Sequence, residues 1–233
     1  MNRTQRASKS ADSDPIESKL PLPVTKITVQ KKNRDRYSLF HNEQFLIGVS
    51  RKTLNDFSIE EGVTLTPSLF QQLSDAENLV AIREACFRYL SGRDHSSFEL
   101  KQKVGKKGFR EEDVDQVIAN LAESGYLNDE EFASKFAKEK IEFNQWGPKK
   151  IKSHLYKKGL DRKIIEKVLE QKTDDLQLQQ ICVDLVMKRK RHFLRENDDF
   201  KRKQKIYRYL SGRGFSGSVI KKSLPRIIDT LNA

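Results

Sequence analysis

The chain has 233 residues, 36% hydrophobic and 33% charged, with a net charge of +12 and an isoelectric point near 9.6. That length allows one or two cores, and the composition suits many thin helical layers better than one deep core. The charge favours a polyanionic partner, and no apolar run approaches the roughly 18 residues of a membrane span.

Residues 1–23 are rich in Ser, Asp, Lys and Pro and have little to bury, which predicts a disordered tail. No apolar h-region follows the start, so no secretory signal is expected. From Thr25 the pattern turns extended. KITVQ, RYSLF and QFLIGV are β-branched and aromatic runs separated by the polar turns KKNRD and HNE, as in a three-stranded antiparallel meander. A short helix from Ser50 to Phe57 follows. Gly62 marks a turn, and Thr66–Pro67 supplies a cap and first-position pair for another helix. The extension is bounded at 24–73.

Ser74, with Glu77 three residues on, reads as a capping box that opens an all-helical remainder. Its first helix, to about Ser91, carries Leu79, Ile82, Cys86, Phe87 and Leu90 at helical spacing. Ser96 and Glu99 form a second box opening a short helix that ends at Gly108. A third helix spans about Glu111–Ser124. Asn128 caps the next, with Phe132, Phe136 and Phe143 forming a stripe down to Trp146. Gly147 is expected to end that helix and Pro148 to open another, which closes at Gly159. Asp161 caps a further helix bearing Ile164, Ile165, Val168 and Leu169. The last group starts near Asp174, its middle helix capped by Asp198 or Asp199 and its final helix interrupted by Pro225.

These elements repeat. ELKQKVGKKGF, KIKSHLYKKGL and KIYRYLSGRGF place Leu100, Ile151 and Ile206 eight positions before Gly108, Gly159 and Gly214. Beyond the glycines the pairs Val117/Ile118, Val168/Leu169 and Ser223/Leu224 match again. The glycines stand 51 and 55 residues apart, room for about three short helices per unit. The expected fold is therefore mainly α: an elongated, curved array of three tandem three-helix repeats, at 74–126, 127–172 and 173–233, preceded by a small β-meander.

No catalytic pattern is visible. GKKG at 105–108 lacks both the preceding strand and the GK[ST] of a phosphate loop, and neither GxSxG nor HExxH occurs. His41, His95, His154 and His192 have no metal-ligand spacing. Cys86 and Cys182 sit inside apolar helical patterns, as core residues of a reducing, cytoplasmic compartment do. Asp129, Glu130 and Glu131 imitate a nuclease metal site, but acids at a helix start complement the helix dipole. No catalytic residue, metal or cofactor is assigned. Basic residues cluster instead. Between Leu185 and Arg213 eleven Lys and Arg stand against three acids, interleaved with Phe193, Tyr207 and Tyr209. Cationic helices recurring in register would build a stripe that follows a phosphate backbone.

YLSGRDHSSFELKQKVGKKGF (89–109), LNDEEFA (127–133) and GPKKIKSHLYKKGL (147–160) resemble the RecX family, bacterial regulators of the RecA recombinase. The resemblance covers about Leu79 to the C-terminus, and more weakly the strands before it. It implies a helical body lying in the groove of the RecA–single-stranded-DNA filament, inhibiting ATPase, strand exchange and co-protease activity by binding alone. The residues it implicates are Arg93, Lys101, Lys103, Lys149, Lys150, Lys152, Lys157 and Lys158; Arg189, Lys203 and Lys205, from the basic cluster of the departing third repeat, are added to them as binding candidates. Expected partners are the RecA filament and single-stranded DNA, or duplex DNA non-specifically; a monomer is expected. Two other classes stay open: a free-standing helix-turn-helix-like DNA-binding protein, and a nuclease using Asp129 and Glu131.

Overall fold

A computed structural model describes residues 16–232, which divide into two compact units between Ala85 and Cys86. The expected tail lies outside the described residues up to position 15. Beyond that it is ordered: Ile16–Lys19 form a 3-10 helix, and β1 (Leu22–Pro23) pairs with a later strand.

In the first unit β2 (Lys26–Gln30), β3 (Asn33–His41) and β4 (Gln44–Ser50) form the antiparallel meander in order β2-β3-β4. Asn42 and Glu43 both take positive φ, 43° and 66°, the backbone of a tight two-residue hairpin whose twist matches the strands. Leu39 stands opposite Ile27 on one side and Ile47 on the other. Helix α1 (Arg51–Asp56) is capped by Ser50, and β5 (Thr64–Leu65) completes a two-stranded ladder with β1. Val24, Leu39, Leu46, Val49, Leu65, Phe70 and Leu73 make this unit's core. Ile16, Leu20 and Leu22, which precede the expected boundary at 24, are partly buried against it.

Helix α2 runs unbroken from Pro67 to Leu90. The two helices expected on either side of Ser74 are one, because Thr66 already accepts the Leu69 N–H and Pro67 sits at the first turn. Ser74 is merely passed through. Glu77 serves tertiary structure instead, accepting from the Ser50 N–H at 2.6 Å and pairing with Arg36 at 2.8 Å.

The second unit holds the remaining helices. α3 (Ser97–Gly105) and α4 (Glu111–Glu123) belong to the first repeat. The second repeat is α5 (Asp129–Glu142), α6 (Pro148–Lys157) and α7 (Arg162–Lys172). The third is α8 (Asp175–Met187), α9 (Lys190–Leu194), α10 (Asp199–Gly212) and α11 (Gly217–Asn232). Ser96, Asn128, Asp161, Asp174 and Asp198 each accept a backbone N–H of the first turn they precede. Gly108, Gly159 and Gly214 take φ of +85°, +76° and +95°, the left-handed closure that the eight-residue spacing predicts.

Each later repeat has its own core. In the second, Phe132, Ala137, Ile151, Leu155, Ile165 and Val168 meet. In the third, Cys182, Val186, Ile206, Leu210, Phe215, Ile220 and Ile227 do so, joined by Phe193 of α9. Four expectations change. α5 ends at Glu142, and Gly147 is the N-cap of α6 rather than the end of its predecessor. Phe143 leaves the aromatic stripe and is 80% exposed, since it lies beyond the helix end. The third repeat carries an additional helix, α9. Finally, Pro225 does not interrupt α11; it is exposed, and the helix continues through it to Asn232.

Candidate nucleic-acid interface

The middle helices of the three repeats, α3, α6 and α10, are joined end to end. At the first junction Ser96 Oγ accepts from the Glu99 N–H and donates to the Lys158 carbonyl at 2.6 Å. Lys158 Nζ pairs with Glu99 at 2.6 Å, Arg93 joins the same carboxylate at 3.2 Å, and Gly159 leaves room for the Phe98 ring. Burial alone would raise the Glu99 carboxyl; hydrogen bonds from Lys158 and Arg93 outweigh it and hold it at about 2.

At the second junction the joint is main chain. Gly147 N–H donates to the Arg213 carbonyl (2.9 Å) and Lys149 N–H to the Gly214 carbonyl (3.0 Å). N–H groups at the start of α6 thus find partners in the two carbonyls that follow the end of α10. The side chains at this joint reverse the first one. Position 150 holds Lys where position 99 holds Glu, and Arg213 stands where Lys158 did. Without that acid, Arg213 Nε is buried with no hydrogen-bond partner.

Around these joints lie the basic residues singled out from sequence. Lys101 pairs with Glu111 (2.9 Å) and Asp115 (2.7 Å), and Lys152 with Glu166 (2.9 Å). The two lysines are repeat equivalents, and so are Asp115 and Glu166. Each pair ties the middle helix of its repeat to the next. This recurrence was legible, since Lys and acid both return after 51 residues. Arg93 and Lys158 are engaged by Glu99, and Lys205 by Glu196. Lys103 lies 2.8 Å from His95 Nε2 and over the Tyr89 ring. Lys150 sits 4.3 Å over Trp146, and Arg189 5.2 Å over Tyr209. Lys149, Lys157 and Lys203 are exposed.

The structure therefore brings Lys150, Trp146 and Lys140 together with His154, whose ring lies 4.6 Å from the indole. Burial and then the charges of Lys157, Lys150, Lys158 and Lys140 push the His154 pKa below its ordinary value, favouring the neutral ring. A second cluster surrounds an open cavity of about 350 Å³ at the first junction, where Arg93, Lys135, Lys140 and Lys158 border Phe132 and Phe136. Most cations there already face Asp94, Glu99 or Glu131. A third, richer in unpaired charge, is formed by the α8–α9 segment. Of its cations, only Arg189 is among the residues implicated from sequence.

The acids of the nuclease alternative scatter. Asp129 accepts from the Ser97 N–H, Glu130 pairs with Lys167, and Glu131 pairs with Lys135. Among the described residues no helix is long and apolar enough to cross a membrane.

Tandem three-helix units with capped, interlocked ends and a charged exterior define a helical-repeat protein. The comparisons agree. Residues 83–121, 128–169 and 175–224 match the first, second and third three-helix domains of RecX, and residues 23–66 the regulatory protein RecX N-terminal domain. The regulatory protein RecX of Listeria innocua is 31% identical over 202 residues, covering 86% of this chain and 74% of that one. That of Clostridioides difficile is 26% identical, covering 88% and 96%. A crystal structure of a regulatory protein RecX superposes with a TM-score of 0.77 at 23% identity, covering 87% of this chain and 98% of that one. RecX from Lactobacillus salivarius gives 0.61 at 26%, covering 67% and 98%. The chain belongs to the RecX family of regulatory proteins, which are not enzymes.

Proposed function

We propose that this protein binds RecA–single-stranded-DNA filaments in the cytoplasm and inhibits RecA ATPase, strand exchange and co-protease activity by contact alone. Family membership across nearly the whole chain carries the reading. The charge of +12 supports its DNA half, and no group of described acids and histidines is spaced to hold a metal. Of the residues implicated from sequence, Lys103, Lys149, Lys150, Lys157, Arg189 and Lys203 form no ion pair among the described residues, and Lys149, Lys157 and Lys203 of these are exposed with no ring partner. Lys101, Lys152 and Lys205 reach a filament by exchanging solvent-exposed ion pairs, which hold weakly, whereas Arg93 and Lys158 would have to leave the half-buried Glu99.

The test is RecA ATPase on single-stranded DNA, titrated with this protein. Inhibition is expected, weakened by Lys149→Glu with Lys157→Glu, which disturbs no ion pair of the fold. A wild-type protein that leaves the ATPase unchanged at equimolar ratio refutes the reading. Sequence-selective duplex binding without RecA would favour the free-standing DNA-binding class instead.

A further inference from the structure

The repeat itself isolates one segment that the first two repeats lack. Residues 91–96 and 143–147 connect the first helix of a repeat to its middle helix in repeats one and two. In the third repeat residues 188–198 make the same connection and include α9. This insertion has one packing residue of note, Phe193, 1% exposed in the third core. Nearly everything else long in it is cationic: Lys188, Arg189, Lys190, Arg191 and Arg195.

The segment curls around an open concavity of about 680 Å³. Eight residues line it, five of them Lys or Arg and none Asp or Glu. Among the described residues no ion pair neutralises these five. Lys188 donates to Gln145 Oε1 at 2.8 Å, and Arg189 lies over Tyr209. The adjoining Glu196 is taken by Lys205. Like charges crowded at one rim repel one another, and nothing within the repeat offsets that cost. The charged rim is nonetheless held in place, by Phe193 in the core and by Lys188 against Gln145. A fixed, uncompensated cationic hollow fits a partner that brings closely spaced negative charge.

We infer that the α8–α9 insertion is a phosphate-backbone site for single-stranded DNA, used by this protein with or without RecA. A flexible strand can bend its phosphates into a concavity, whereas the phosphates of a duplex lie on a stiff convex cylinder. The inference shares with the proposed function only the assumption that DNA is a partner.

The experiment is fluorescence anisotropy of a labelled oligothymidylate with this protein alone, over a range of salt. The insertion variant is Lys190→Ala/Arg191→Ala/Arg195→Ala, which keeps Phe193, Lys188 and Arg189. The charge-matched control is Lys172→Ala/Lys221→Ala/Arg226→Ala, three exposed residues outside the insertion. Losing three phosphate contacts should lower the slope of log affinity against log salt by about 2, since each single-strand contact contributes about 0.7. The expected loss at low salt is at least about tenfold for the insertion variant, with the control close to wild type and both melting as wild type does. Equal loss in both variants, or none in the insertion variant, overturns the inference. So does better competition by a duplex of the same length. A wild-type protein that inhibits the RecA filament but does not bind the oligonucleotide also overturns it, while leaving the proposed function standing.

Discussion

Gly147→Ala is a single methyl aimed at the joint between α6 and α10. The backbone there, φ −77° and ψ 158°, is open to any residue, so conformation alone costs the alanine nothing. The obstacle is space. A Cβ at position 147 would lie 2.3 Å from the Gly214 carbonyl carbon, 2.4 Å from its oxygen and 2.4 Å from the Phe215 nitrogen, all backbone. Ordinary contact needs about 3.5 Å, so the joint has to open by about 1 Å. Overpacking of this kind costs about 1–3 kcal/mol. Weakening the hydrogen bonds to Arg213 and Gly214 adds about 1 kcal/mol. A total of about 2–4 kcal/mol lowers the melting temperature by roughly 5–15 °C in a chain of this size. Calorimetry with far-ultraviolet circular dichroism reads it out. Gly108→Ala is the comparison: φ is +85° but nothing lies within 4 Å, so only the left-handed conformation is charged, about 1–2 kcal/mol. If Gly147→Ala melts within a degree or two of wild type, or if Gly108→Ala is the more damaging, the account of the joint is wrong.

Two further outcomes follow from the buried groups. Because the folded Glu99 carboxyl is held below its ordinary 4.5, at about 2, its stabilising effect is present above about 4.5 and is lost as pH falls through about 2. Glu99→Gln should therefore melt below wild type at neutral pH, with the gap closing over that acid range; a gap independent of pH would exclude the ion pair as its cause. Burial pushes the Cys86 thiol up to about 11 and the Cys182 thiol, despite a hydrogen bond with Ser223, up to about 12. Ellman's reagent should label neither in the native protein at neutral pH and both in denaturant, and rapid native labelling of either would contradict the burial.

Local chemistry made the repeat readable. Left-handed glycines and hydroxyl, amide or carboxylate caps act within one turn, so Gly108, Gly159, Gly214, Ser96, Asn128 and Asp161 announce themselves in one dimension. The errors lie where a local signal was answered from far away. Ser74 and Glu77 spell a helix start, yet Glu77 is spoken for by Arg36 and by Ser50, 27 residues upstream. Pro225 reads as a break, but whether a proline costs one hydrogen bond or a whole helix depends on which side faces water. The joints themselves could not be seen, because a carbonyl at 213 meeting an amide at 147 leaves no trace in side-chain pattern. The charged site was legible as a tally only. The lysines at 101 and 152 look as free as those at 149 and 157 until their acids are placed. Phe193, the anchor of the insertion, is hidden among the cations around it.

The second joint also bears on how such a protein can drift. Its adhesive is peptide groups, which every amino acid except proline possesses in the same form. Replacement of nearly any neighbouring side chain leaves those bonds as they were, provided position 147 stays bare. Pitch from one unit to the next is then inherited separately from surface chemistry. A lineage can rewrite its exterior for a different partner while the scaffold keeps its dimensions, in keeping with a solved structure of only 23% identity that still superposes at 0.77.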